Sequence, residues 1–192
     1  LEAIRQVKKA VGRNDCLYIH VTLVPFVTGA GELKTKPTQH SVKELRSLGI
    51  QPDILICRSS KPIPQDMCEK MAMFCDVDAD AVFQNLTARS IYEVPVLLEK
   101  QGLDEVVLRK LDVDATNHPL DMAEWHDMVE RMLKDYDRKV TLGVVGKYVE
   151  LQDSYISLTE ALRHAAMANE ANLDIKWINA ELVEEGEIDL EA

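Results

Sequence analysis

The stretch LYIHVTLV, residues 17–24, is a nearly continuous run of apolar and β-branched residues. Such a run is typical of a strand in a parallel sheet that is covered on both faces. We therefore expect a central strand here, with side chains buried above and below it.

The sequence after this run alternates helix patterns with short strand patterns. Val42, Leu45 and Leu48 recur at helical spacing before Gly49, and the strand pattern DILIC follows at Asp53–Cys57. Further on, QDMCEKMAMFC presents Met67, Met71 and Phe74 as one helical face, and AVFQN, IYEVPVLLEKQG and DEVVLRKL predict a strand and two helices. This alternation through Leu111 predicts an α/β fold with a parallel sheet.

The pattern changes after residue 112. Residues 113–137 contain Pro119 in a polar stretch and then an amphipathic helix pattern, which predicts a linker with a connecting helix. The strand KVTLGVVG, the helix ISLTEALRHAAMANEA and the strand LDIKWIN then predict the start of a second α/β domain. We therefore divide the chain into domains 1–112 and 138–192, with the linker 113–137 between them.

Composition excludes several classes of protein. The net charge of −11 argues against a general nucleic-acid-binding surface, which needs a basic face. The apolar runs fall short of the ~20 residues of a membrane-spanning helix, and no secretory leader opens the chain, so we expect a cytoplasmic protein without a membrane anchor. Because residue 1 is Leu in a helix pattern and the end resembles the start of another helix, we expect a piece of a longer protein.

The four cysteines, Cys16, Cys57, Cys68 and Cys75, lie inside apolar patterns. They form no C-x-x-C pair and have no His at the spacing of metal ligands. We interpret all four as buried free thiols, and none as a nucleophile or metal ligand.

A local basic segment runs from Gly31 to Gly49, with four basic and two acidic residues in an acidic chain. Ser41 and Glu44 have capping-box spacing, which predicts a helix start at 38–41. Pro37 predicts an extended Lys36, so that Lys34 and Lys36 project to the same side.

Two ammonium groups beside a helix N-terminus suit a polyphosphate. The side chains of Thr35, Thr38 and Gln39 add polar groups for a sugar or base. The alternative is a solvated loop whose lysines balance nearby acids, and spacing alone does not decide between the two.

The run KTKPTQHSV, residues 34–42, resembles a highly specific string of the CTP synthase family. The resemblance continues in order along the chain, in LEAIRQ (1–6), TLVPF (22–26), SIYEVP (90–95) and VGKYVELQDSYISLTEAL (145–162). It covers most of the chain and is weakest in the linker.

The resemblance implies an enzyme that makes CTP from UTP, ATP and glutamine. In that family, an amidoligase domain phosphorylates the uracil O4, and ammonia from a glutaminase domain displaces the phosphate. The implied folds are a P-loop-like, dethiobiotin-synthetase-like parallel sheet for 1–112, as the C-terminal part of the amidoligase domain, and the N-terminal part of a class I glutamine amidotransferase domain for 138–192.

The resemblance also implies site residues. UTP, and CTP as inhibitor, would bind to Lys34, Thr35, Lys36, Pro37, Thr38, Gln39 and Lys70, and main-chain groups of Leu86, Thr87 and Ala88 would bind the ATP adenine. Taken alone, Lys70 would be interpreted as a solvated helix charge.

Other functional parts are expected outside this chain. The ligands of ATP-bound Mg²⁺ would lie before residue 1 and the glutaminase Cys after residue 192, so we expect no catalytic or metal-binding residue here and no activity of the chain alone. The family also implies GTP as an allosteric activator and a homotetramer.

Two other functions stay open. A related amidoligase of the cobyrinic acid amide synthase type should lack the KTKPTQ string. A non-catalytic nucleotide-binding or assembly module would lack the phosphate loop or the Cys in its flanking sequence. The turn at Gly146-Lys147-Tyr148 follows a strand, where α/β proteins place ligands, but it is equally a structural turn.

Overall fold

The computed structural model describes residues 1–12, 14–117 and 120–188. The described residues leave out 13 in the first predicted domain, 118 and 119 in the predicted linker, and 189–192 in the second predicted domain. By its internal contacts the chain forms two units, Leu1–Met122 and Ala123–Ala192. The division falls within the segment 113–137 that the sequence analysis assigns to a linker.

The bounds of the elements follow the alternation predicted from the sequence. The helices are α1 (Glu2–Val11), α2 (Lys36–Ser47), α3 (Gln65–Cys75), α4 (Glu93–Glu99), α5 (Leu103–Lys110), α6 (Ala123–Leu133), α7 (Ile156–Ala168) and α8 (Ala180–Glu184). The strands are β1 (Ile19–Leu23), β2 (Phe26–Val27), β3 (Glu32–Leu33), β4 (Ile54–Ser59), β5 (Val82–Leu86), β6 (Arg138–Gly146) and β7 (Ala171–Asn179).

The first unit contains a parallel sheet in the order β1-β4-β5. Leu23 pairs with Arg58, and Ser59 pairs with Leu86, so the three strands end side by side at one edge. The second unit contains the parallel pair β6-β7, connected through α7. The prediction of an α/β fold with parallel sheets is confirmed, and the finer assignment to named fold families stays a prediction.

The sheet of the first unit buries apolar side chains on both faces. On one face, Leu55 and Cys57 of β4 form a cluster with Val42 of α2 and with Cys68 and Met71 of α3. On the other face, Ile54, Ile56 and Phe83 cluster with Val106 of α5, and Leu98 of α4 packs against them. Helices therefore cover β4 from both sides.

The expectation that β1 is covered on both faces is wrong. Ile19, Val21 and Leu23 are 43%, 59% and 56% exposed. The reason is that α4 and α5 pack against β4 and β5, while only the face of β1 that carries Thr22 is covered, by α2.

Phe74 and Cys16 were also predicted to be buried, and both predictions need correction. Phe74 is 53% exposed, because α3 turns Cys68, Met71 and Cys75 into the core instead. Cys57, Cys68 and Cys75 are buried free thiols as predicted, whereas Cys16 is partly exposed. The short hairpin β2-β3 was not predicted, since each of its strands has only two residues.

Among the described helices, none is long and apolar enough to cross a membrane.

Candidate functional site

Two of the predicted site segments of the first unit, 34–39 and 86–88, lie near the carboxyl ends of its parallel strands. α2 follows the hairpin that extends β1, and Leu86–Ala88 follow directly from β5. Open parallel sheets bind ligands in the crevice beyond the carboxyl ends of their strands. This edge is therefore where a ligand of the first unit is expected.

The first turn of α2 starts earlier than the sequence predicted. The helix begins at Lys36, and its N-cap Thr35 already has helical dihedral angles, φ −86° and ψ −16°. The predicted start at 38–41 and the extended Lys36 are therefore wrong. Proline is well tolerated in the first helical turn, so Pro37 lies inside the helix. Ser41 does not cap the helix, and its Oγ lies 2.8 Å from Nε2 of His20.

The hydroxyl groups of this segment bond to the protein itself. Thr38 is fully buried, and its Oγ1 donates to the carbonyl oxygen of Leu23 at 3.1 Å and accepts from Oγ1 of Thr22 at 3.3 Å. Thr35 is also buried and accepts from Nε2 of Gln39 at 3.2 Å. These side chains hold the first turn of α2 against β1 and against itself.

The two lysines of the segment have different surroundings. Lys34 forms an ion pair with Glu32, and this hydrogen bond and charge lower the pKa of the Glu32 carboxyl. Lys36 is exposed, and in the described part of the chain no carboxylate forms an ion pair with it. Lys36 is therefore the lysine of the motif that is available to an anion without breaking a contact.

Lys70 lies on α3 and is exposed. Among residues 1–12, 14–117 and 120–188, no hydrogen bond or ion pair joins it to the segment 34–39. The structure places Lys70 on a helix packed beside α2, but does not bring it into contact with the motif.

The backbone of the segment 86–88 is fixed by the neighbouring strand. The N–H of Thr87 donates to the carbonyl oxygen of Ser59 at 3.2 Å. Nη1 of Arg58 donates to the carbonyl oxygens of Leu86 at 3.2 Å and Asn85 at 3.4 Å. These bonds give main-chain groups of the segment a defined position, as a site read by backbone requires.

An open groove of about 450 Å³ adjoins this edge. Its lining residues come from β1, α2 and β4: Val21, Thr22, Leu23, Pro37, Ser41 and Arg58. Arg58 was not predicted as a site residue. The available signal was a charged residue directly after the buried run ILIC, at the carboxyl end of a strand. Arg58 and the exposed Lys36 give this edge positive charge in an acidic chain.

A larger cavity of about 700 Å³ lies at the opposite, amino-terminal ends of the strands and includes Arg5, Lys8 and Lys9. Asp53 in its wall accepts from Nζ of Lys8 at 2.7 Å and from the N–H of Tyr18 at 2.8 Å. Lys8 therefore anchors α1 to the sheet, and its charge is already balanced. We interpret this cavity as the space between α1 and the loops before β1 and β4, and not as the functional site.

Neither a metal site nor an activated thiol is found among the described residues. No group of three or more His, Cys, Asp or Glu side chains within them is arranged to hold a metal ion. Burial raises the pKa of Cys57 to about 12 and that of Cys75 to about 11, so both are protonated thiols at neutral pH.

The turn after β6 in the second unit is closely packed. The hydroxyl and ring of Tyr155 lie against Gly146, so that a Cβ at Gly146 would lie 2.7 Å from Tyr155 Cζ. Lys147 forms an ion pair with Glu181 at 3.4 Å. This packing gives Gly146 a structural reason to be glycine, and a ligand role for the turn stays a hypothesis.

The sequence of the chain is similar to known proteins of one family. Residues 1–113 match a family model described as CTP synthase N-terminus. The chain is 54% identical over 188 residues to the CTP synthase of Ruminiclostridium cellulolyticum, covering 98% of this chain and 35% of that protein. It is 57% identical over 183 residues to that of Pelotomaculum thermopropionicum (95% and 34%), and 55% over 189 residues to that of Methanocaldococcus jannaschii (98% and 34%). The chain spans about a third of the length of these relatives.

Proposed function

The chain belongs to the CTP synthase family, and from this membership we propose that it is part of an enzyme that aminates UTP to CTP, using ATP and ammonia from glutamine. Within that enzyme, residues 1–112 form the C-terminal part of the amidoligase domain, and residues 138–192 form the N-terminal part of the glutaminase domain. The names of the relatives favour this function over an amidoligase of the cobyrinic acid amide synthase type.

One observation carries the proposal: the motif KTKPTQ leads into and forms the start of α2 at the carboxyl-end edge of the parallel sheet, with Lys36 exposed and without an ion pair among the described residues. The N–H groups at the start of a helix favour negative charge; in this turn Pro37 has no N–H and the N–H of Gln39 donates to the carbonyl oxygen of Thr35, so the main-chain donors concerned are those of Lys36 and Thr38. Lys36 and the N-terminus of α2 therefore suit a triphosphate. Lys34 joins them when its ion pair with Glu32 opens, and Lys70 on α3 contributes a further cation.

The remaining residues of the motif act by supporting this turn. Thr35 and Thr38 are buried and fix the backbone, and Gln39 bonds to Thr35. Pro37 lines the groove beside Arg58. A preorganised turn of this kind loses little conformational entropy when a ligand binds.

The ATP part of the proposal rests on Leu86, Thr87 and Ala88. Their main chain is held by Ser59 and Arg58 of β4 through the N–H of Thr87 and the carbonyl oxygen of Leu86, and we assign the adenine edge to the other main-chain groups of the segment. Phosphoryl transfer depends mainly on holding the two nucleotides in line and on neutralising phosphate charge. The chain contributes binding and orientation to that step.

The rest of the assembly is proposed from the family. ATP is used with Mg²⁺, CTP acts as an inhibitor and GTP as an activator, and the enzyme works as a cytoplasmic homotetramer.

The test is CTP formation by the full-length protein that contains this chain, supplied with UTP, ATP and Mg²⁺. We expect CTP to form with either glutamine or ammonia, and the isolated 192-residue chain to be inactive with both. Failure of the full-length protein to form CTP from ammonia would contradict the proposal and would leave the non-catalytic nucleotide-binding module. Turnover by the isolated chain would contradict the division of roles.

A further inference from the structure

Gln84 of β5 makes two short hydrogen bonds to the main chain of a single residue. Its Oε1 accepts from the N–H of Ile63 at 2.7 Å, and its Nε2 donates to the carbonyl oxygen of Ile63 at 2.9 Å. A two-point contact of this kind fixes both the position and the orientation of the segment. Ile63 itself is buried and clusters with Cys68 and Met71, which α3 turns inward.

The main chain of Gln84 is held from the opposite side. β5 is an edge strand, and there the side-chain amide of Gln101 takes the place of a neighbouring strand. Oε1 of Gln101 accepts from the N–H of Gln84 at 2.8 Å, and Nε2 of Gln101 donates to the carbonyl oxygen of Gln84 at 2.8 Å. Nε2 of Gln101 also donates to the carbonyl oxygen of Leu97 in α4, which ties the arrangement to that helix.

This chain of contacts joins two parts of the proposed site. Ile63 lies two residues before α3, which carries Lys70, and Gln84 lies two residues before Leu86–Ala88. The side chain of Gln84 therefore sets the position of α3 relative to the end of β5. The main-chain clamp by Gln101 sets the position of β5 itself.

We propose that Gln84 is a positioning residue that holds the pyrimidine-nucleotide side of the site, through Ile63 and α3, at a fixed distance from the adenine side. This inference rests on the proposed function. Gln101 has the complementary task of positioning the adenine side, because it bonds to the main chain of β5 and makes no contact with Ile63.

The test separates the two tasks by kinetics in the full-length protein. Gln84→Met keeps the length of the side chain and removes both bonds to Ile63, while the clamp by Gln101 remains. We expect the KM for UTP to rise at least about fivefold, because α3 loses its fixed position, with the KM for ATP and kcat changing less than about twofold, because β5 keeps its own.

The matched control is Gln101→Met, which leaves the Gln84–Ile63 bonds in place. We expect the reverse pattern, a raised KM for ATP and a nearly unchanged KM for UTP. Gln84→Glu keeps the acceptor for the N–H of Ile63 but loses the donor to its carbonyl oxygen, so the KM for UTP should again rise while the KM for ATP stays nearly unchanged. A purely structural role would lower the melting temperature without separating the two KM values.

Parallel shifts of both KM values in Gln84→Met, or no shift in either, would overturn the inference. If Gln84→Met does not fold, Gln84→Glu carries the same test, with a smaller expected rise in the KM for UTP alone. If the unaltered full-length protein shows no UTP-dependent activity, that result contradicts the proposed function instead. In that case, hydrogen exchange at the Ile63 amide decides the positioning claim, which requires faster exchange in Gln84→Met than in Gln101→Met.

Discussion

Thr22 of β1 and Thr38 of α2 face each other and join the first turn of α2 to β1. The hydroxyl of Thr38 donates to the carbonyl oxygen of Leu23 and accepts from Thr22, in a place without solvent access. A buried polar group that loses its partner costs more than the bond contributed. The position of the proposed triphosphate-binding turn therefore depends on a threonine that no ligand needs to touch.

We predict that Thr38→Val lowers the free energy of unfolding of the first unit by about 1–3 kcal/mol, because Thr22 and the Leu23 carbonyl lose a partner. Urea unfolding followed by circular dichroism measures the change. Thr28→Val is the control, since Thr28 is exposed in the β2-β3 turn, and its effect should stay within about 0.5 kcal/mol. Equal stability of the two variants would show that the buried pair contributes nothing.

At the scale of single residues, the sequence revealed the basic charge of the segment 31–49 but not how its side chains pair or pack. The local excess of basic residues was visible from the composition of 31–49, but the pairing of Lys34 with Glu32 depends on the extended backbone at β3, which places side chains two residues apart on the same side. Spacing does not distinguish the exposed Lys36 from the buried Thr38 two residues later, since that depends on which side of α2 packs against β1.

Among the elements, the end of β6 meets the turn before α7 at very close range. Gly146 is the last residue of β6, and the ring of Tyr155 lies directly against it. Tyr155 in turn packs against Trp177 of β7, with ring centroids 5.4 Å apart. The glycine therefore allows the turn to close over the ends of both strands.

We predict that Gly146→Ala lowers the free energy of unfolding of the second unit by about 1–3 kcal/mol, the usual cost of overpacking. Gly143→Ala on the same strand should cost less, because its Cβ would meet only the flexible end of Ile178 at 3.2 Å. Tryptophan fluorescence reports on this unit alone, since Trp125 and Trp177 both belong to it. A Gly146→Ala variant no less stable than Gly143→Ala would contradict the packing described.

Helices and strands with strong periodicity were predictable, and their surroundings were less so. The run 17–24 does form a strand, but its apolar composition could not reveal that α4 and α5 cover only β4 and β5. The face of α3 was predicted from helical spacing as Met67, Met71 and Phe74; Met71 is buried, but the neighbouring cysteines rather than Phe74 complete the buried face. The start of α2 was misplaced because a capping-box spacing at Ser41 outweighed a proline that fits the first turn.

At the scale of the molecule, all four cysteines lie in the first unit, and three of them belong to its core. Burial raises the pKa of Cys57, Cys68 and Cys75, and only a thiolate reacts rapidly with alkylating reagents. The reactivity of these thiols therefore reports on opening of the first unit as a whole.

We predict that iodoacetamide at pH 8 labels Cys16 in the folded protein and labels the other three only after unfolding in urea. Mass spectrometry of the modified peptides distinguishes the four sites. Because the raised pKa of Cys57, about 12, keeps it protonated at pH 8, its labelling rate should increase sharply with urea. Rapid labelling of Cys57 without denaturant would contradict the buried core.

The division into two units, the α/β class and the family were within reach of the sequence, because ordered motifs extend along most of the chain. The hydrogen bonds that link Gln84 to Ile63 and to Gln101 could not be predicted from the sequence. They join residues 21 and 17 positions apart through polar side chains, which carry no periodic signal.

The most direct test of the central claim is nucleotide binding by Lys36→Ala in the full-length protein, measured by titration calorimetry with UTP and with CTP. A charge-assisted contact is worth about 1.5–3 kcal/mol, so both dissociation constants should rise about tenfold or more. Lys43→Ala, which removes an exposed lysine later in α2, should change them less than about twofold. Unchanged affinity of Lys36→Ala for both nucleotides would remove the first turn of α2 from the site.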